Sequence, residues 1–180
     1  MEIKFLITLT SDELEAGFLE LEEIGSVVGY IELIFGEFVY GFIPEVPIPP
    51  NMQGLFNLSI WFEQLTEACL ILNNSNYVII NDINSYNSWI EIKKEADKLY
   101  ISDLKSTNKT NKGMLELLPL ESYREGKWRN EIVDITDFVG KVKNSAEKFT
   151  EELLRLNKYY NNLRWFQRIQ ENIKQINNYK

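Results

Sequence analysis

The chain has 180 residues, enough for one ordinary domain, with 44% hydrophobic, 26% charged and 13% aromatic residues. Its formal net charge is −8, divided unevenly: the first 92 residues hold 14 Asp and Glu against one Lys, and the remaining 88 hold 13 against 18 Lys and Arg. With no histidine and a single cysteine, Cys69, the chain excludes an intrachain disulfide, a Ser-His-Asp triad, a Cys-His pair and an HExxH zinc site.

Residues 2–10 (EIKFLITLT) are rich in β-branched and aromatic residues and predict a strand. Met1–Lys4 shows no basic region leading into an apolar core, so no signal peptide is expected. Residues 18–24 (FLELEEI), if extended, place Glu20 and Glu22 on one face. Residues 26–35 and 38–43 predict strands, joined at Gly36-Glu37 by a tight type II′ turn. The first 43 residues therefore predict an acidic antiparallel meander of three or four strands.

Pro44, Pro47, Pro49 and Pro50 make the next stretch an irregular connection. A helix is expected over 52–72, capped by Asn51, with Leu55, Leu58, Phe62, Leu65, Cys69 and Leu72 at helical spacing and Glu63, Gln64 and Glu67 opposite. On that apolar stripe Cys69 reads as a small hydrophobe. A second β region, 77–135, begins with a strand at 77–80 and a hairpin of 88–93 with 98–102 around Glu95-Ala96-Asp97. Residues 105–113 read as a polar loop, followed by strands at 114–118 and 127–135 joined near Glu125-Gly126.

From 136 to 177 apolar residues keep helical spacing, with Thr136 available as a cap. An unbroken helix of that length would exceed about 50 Å at ~1.5 Å per residue. Asn157 and Asn161-Asn162 are poor helix formers and predict a break. Its mixed seam of Ala, Phe, Tyr and Ile favours packing on a sheet over a coiled coil. The expected architecture is one α+β domain over 1–180, with an antiparallel sheet or sheets of about six to eight strands. The central and C-terminal helices cover one face. No apolar run spans a bilayer, and a cytoplasmic location, without membrane contact, is expected. The abundance of Asn, Ile and Lys over Ala points to an AT-rich bacterial genome.

No phosphate-binding glycine loop is present. Glu20, Glu22 and Glu23, with Asp12, Glu13 and Glu15 nearby, could hold Mg²⁺ or act as an acid/base pair, or could form a solvated strand face. The C-terminal mixture of Arg155, Lys158, Tyr159, Arg164, Trp165, Arg168 and Lys174 has the composition of a nucleic-acid surface and equally of an ordinary polar helix face. A pI near 4.8 disfavours phosphate backbones, and no nucleic-acid partner, cofactor or metal is expected.

Three readings of the acidic half follow. It could attract a basic protein partner such as a nuclease-type toxin, dock on the chain's own basic C-terminal helix, or bind metal in an enzyme. One pattern resembles a family. Ile60-Trp61-Phe62-Glu63-Gln64-Leu65 is followed by Tyr77, then by Asn84-Ser85-Tyr86-Asn87-Ser88-Trp89-Ile90-Glu91-Ile92 and Asp97-Lys98-Leu99-Tyr100-Ile101-Ser102. Over about residues 27–104 this is similar to small uncharacterised bacterial proteins of the polymorphic-toxin immunity type. The resemblance implies a non-enzymatic binding protein and carries over no functional residue. The expected partner surface is Glu20, Glu22, Glu23, Glu32 and Glu37, with no catalytic residue. An enzyme using paired carboxylates with Mg²⁺ and a homo-oligomeric structural protein are the alternatives; the sequence leaves the oligomeric state open.

Overall fold

A computed structural model describes residues 1–8, 26–46, 56–85, 87–107 and 113–178. The N-terminal part forms an antiparallel sheet in the order β1 (Glu2–Ile7), β2 (Val28–Phe35), β3 (Phe38–Phe42), with the short β4 (Phe56–Asn57) on the start of β2. Gly36 turns the β2–β3 hairpin at φ +60° while Glu37 stays at negative φ, the signature of the expected type II′ turn. The 18–24 segment lies outside the described residues.

The central helix, α1, runs Leu58–Asn74. It starts later than residue 52 because Phe56 and Asn57 are held extended by Gly29 and Val28 of β2. Asn57 supplies the cap, its side-chain oxygen accepting from the Ile60 amide at 3.1 Å. The apolar stripe is buried as expected, but the helix is enclosed on more than that side: Glu63 and Gln64 are buried too. The Gln64 Nε2 donates to the carbonyls of Asn81 and Met114, and Glu63 meets a later helix.

The second sheet contains β5 (Tyr77–Asp82), β6 (Ser88–Glu95), β7 (Lys98–Ser106), β8 (Leu115–Glu116), β9 (Tyr123–Glu125) and β10 (Glu131–Asp134), in the order β10-β7-β6-β5-β8 with β9 also on β7. The β regions thus form two sheets, of four and six strands; eight of the ten described strands have three or more residues. The expected strands at 114–118 and 127–135 are shorter and do not pair with each other. β8 joins the β5 edge and β10 the β7 edge. Leu120 draws the intervening chain across the sheet by packing with Ile79, Trp89 and Leu104, so Tyr123–Glu125 arrives on β7 as a strand of its own.

The C-terminal segment breaks where its asparagines cluster: α2 (Ile135–Leu156), a 3₁₀ turn (Lys158–Asn162) and α3 (Arg164–Asn177). Asn157 is extended, and its side chain accepts from the Tyr159 amide at 2.9 Å, caps the turn and stops α2. α2 starts at Ile135, with Asp134 rather than Thr136 in the capping position. Its Phe149 stacks on Phe62 of α1 at 4.4 Å, and Phe5 of β1 stands edge-on to both. One core cluster includes residues of both sheets and all three α-helices, from Ile31 and Leu33 through Trp61 and Leu65 to Ile80, Ile92, Phe149 and Ile169. No described helix is long and apolar enough to cross a membrane.

Candidate functional site

The gap in positive charge between Lys4 and Lys93 contains 13 carboxylates. Six, Asp12, Glu13, Glu15, Glu20, Glu22 and Glu23, lie outside the described residues. Five of the other seven have partners inside the protein. Glu32 is half-buried, accepts from the Ile43 amide at 3.0 Å and lies 4.0 Å from Lys4 Nζ. Glu63 and Glu67 share Arg168 of α3, each at 3.2 Å. Glu91 is buried, accepts from the Tyr77 hydroxyl at 3.0 Å and pairs with Lys93 at 2.9 Å. Asp82 accepts from the Tyr40 hydroxyl at 2.6 Å. Only Glu37, on the β2–β3 turn, and Glu45 are exposed without a described ion pair. Of the expected surface residues, then, Glu37 is displayed, Glu32 is also used by the fold, and Glu20, Glu22 and Glu23 are outside the described structure.

A second group was not anticipated from the sequence. Strand alternation places Val78 and Ile80 of β5, Ile90 and Ile92 of β6, and Leu99 and Ile101 of β7 on the face toward the core. Continuing each strand on that face gives Asp82, Ser88, and Asp103 with Lys105. The register makes one row of Asp82, Ser88 and Lys105, because Ser88 is opposite both of the others. At this end of the sheet the apolar face becomes polar while remaining covered. Asp82, Ser88 and Asp103 are each no more than 3% exposed. The sequence signal is a polar residue two positions beyond an apolar pair, repeated in three adjacent strands.

β3 covers this polar end and leaves a cavity of about 180 Å³, with Trp128 and Phe56 among its walls. A hydrogen-bonded chain runs through it. Lys105 Nζ donates to Ser88 Oγ at 2.6 Å. Ser88 adjoins the Tyr40 hydroxyl, which donates to Asp82 Oδ2. The Asn84 amide donates to Asp82 Oδ1 at 3.0 Å, so both oxygens of Asp82 are engaged. Burial, and then the Asp82 charge, push the Tyr40 ionisation far above the ordinary tyrosine range. Tyr40 is therefore a fixed donor and not a base.

Asp103 is held differently. Its Oδ2 accepts from the Lys127 amide at 2.9 Å, its own amide donates to the Trp128 carbonyl, and its carbonyl accepts from the Gly126 amide. A Cβ on residue 126 would fall 2.1 Å from that Oδ2, so glycine is required where the two chains meet. Asp103 Oδ1 is buried and accepts no hydrogen bond among the described residues; Lys105 Nζ is 3.5 Å away. Lys127, at the rim, has an exposed side chain. The arrangement supplies fixed donors, one open carboxylate oxygen and two aromatic walls. Lys105 Nζ is engaged as the donor to Ser88. Among the described residues, no group of three or more Cys, Asp or Glu is placed to hold a metal ion.

The fold and site define an α+β protein with a small, part-open polar cavity between two antiparallel sheets. No protein-family model, curated protein or solved structure matches the chain.

Proposed function

We propose that the chain is a non-enzymatic binding protein that recognises a basic protein partner, in the manner of an immunity protein neutralising a nuclease-type toxin. One observation carries the reading. Among the described residues, Arg168 is the only basic side chain of the C-terminal helices that pairs with a carboxylate of the first 92 residues. Among the described residues, docking on the chain's own basic helix therefore accounts for Glu63 and Glu67 and leaves Glu37 and Glu45 exposed for a partner. Such an excess speeds encounter and favours a cationic surface.

The test is charge reversal of Glu20, Glu22, Glu23 and Glu37 together to Lys, followed by binding, at low and moderate salt, to a basic protein captured with the wild-type chain from its source cells. A loss of association rate that shrinks as salt rises is expected. Unchanged binding would refute the assignment. The paired-carboxylate enzyme reading now has Asp82 and Asp103 to draw on. Three of their four carboxylate oxygens already accept hydrogen bonds from the protein, which supports recognition over reaction.

A further inference from the structure

We propose that the cavity between the sheets is a receptor for a single guanidinium group, anchored on Asp103 Oδ1. The charge pattern sets the sign of the ligand. Two carboxylates, Asp82 and Asp103, are almost wholly buried at the cavity, whereas its two ammonium groups sit outward of them, Lys105 about a third exposed and Lys127 exposed at the rim. A buried carboxylate whose cations lie toward solvent gains from a cation placed directly against it. The only carboxylate oxygen of the pair that accepts no hydrogen bond is Asp103 Oδ1, and the Gly126–Trp128 segment fixes its position through three hydrogen bonds.

Size and shape set the class. A cavity of 180 Å³ holds about six waters at ~30 Å³ each. That suits a guanidinium with its first methylene, the rest of a larger molecule remaining outside the mouth. A divalent metal needs several carboxylate oxygens turned toward it, and three of the four here already accept hydrogen bonds from the protein. An ammonium repeats what Lys105 already offers and is more strongly hydrated. A guanidinium presents a planar fork of donors and a weakly hydrated face suited to an aromatic wall such as Trp128. The group can arrive on a free arginine-like molecule or as an arginine side chain of a protein. The second form rests on the proposed function; the first is independent of it.

The experiment titrates the full chain with methylguanidinium chloride, methylammonium chloride and sodium chloride at matched ionic strength, following the Gly126 and Lys127 amide signals and the Trp128 indole signal by NMR. Saturable shifts with methylguanidinium alone are expected. Asp103→Asn keeps an oxygen for the Lys127 amide and puts a donor in place of Oδ1; it should weaken binding about tenfold or more. Ser85→Phe, which fills the cavity from its rim, should do the same if Asp103→Asn fails to fold. Equal responses to all three salts, or wild-type affinity in a folded variant, would overturn the proposal. Free arginine and a blocked Ala-Ala-Arg-Ala-Ala peptide then separate the sources: tighter binding of one or the other assigns the group to a small molecule or to a protein. Guanidinium binding that survives while the carboxylate reversal leaves partner binding unchanged would remove the acidic-surface reading and leave this site standing.

Discussion

Replacing Tyr40 with Phe tests the polar chain at the cavity with little change in shape. The ring remains, tilted against Trp61 at 5.7 Å, so no packing void is introduced. What disappears is the 2.6 Å hydrogen bond to Asp82, a residue 1% exposed. A hydrogen bond to a buried charge contributes about 1.5–3 kcal/mol, a large share of the ~5–15 kcal/mol that holds a domain together. The variant should unfold at correspondingly lower urea at pH 7. Alkali supplies the second signature. The phenol of the folded protein ionises far above the ordinary range, whereas in the unfolded chain it ionises near pH 10. The phenol's contribution is therefore complete below about pH 10 and is lost as pH rises, because only the unfolded chain releases the proton. By pH 11 the wild type should have lost about 1.4 kcal/mol from this group, a loss the phenylalanine variant cannot share. Urea unfolding followed by tryptophan fluorescence at pH 7, 9, 10 and 11 measures the difference. A gap between the two proteins that stays constant from pH 9 to 11, or no gap at pH 7, would refute the reasoning.

Two further outcomes are expected. Burial raises the Glu63 carboxyl above its ordinary range, Arg168 opposes the rise and Glu67 adds to it. Stability present while Glu63 is protonated, below about pH 4.5, is lost as pH climbs through the raised value. Glu63→Gln should flatten that decline in urea midpoints taken between pH 4 and 7, and a steeper decline in the variant would contradict the assignment. Ala96 turns the β6–β7 hairpin at φ +53°, a conformation costing an L-residue about 1–2 kcal/mol. After glycine's own entropic cost, Ala96→Gly should gain roughly 0.5–1 kcal/mol in the same assay, and a loss would show that the turn carries no such strain.

The elements with strong local chemistry were legible. Gly36 marked its turn, the asparagines around 157–162 marked the helix break, and the stripe from Leu58 to Leu72 marked the central helix. Phe56–Asn57 became a strand because of partners 27 and 29 residues earlier, Gly29 and Val28, and no local pattern reports that. Glu63 and Gln64 looked like a solvent face because their partners, Arg168 and the Asn81 and Met114 carbonyls, are distant in sequence. The carboxylates of the first half drew attention through their number, but those doing structural work are distinguished only by register. Asp82 and Asp103 were readable as breaks in alternation once three neighbouring strands could be aligned, and a single strand does not give that alignment.

β7 is bordered on one side by two short strands, β10 against Lys98–Ile101 and β9 against Leu104–Ser106. Between them the edge is completed by the Gly126–Trp128 connection, whose two main-chain hydrogen bonds close on Asp103. Mechanically, the cavity wall is a panel held at both ends by short strands and pinned at its centre by Asp103. Those two bonds contribute about 1–3 kcal/mol in net terms and lie outside the β6–β7 ladder. The residue that brings a buried charge to the cavity is also the rivet of its wall, so a change there is felt by charge and shape together.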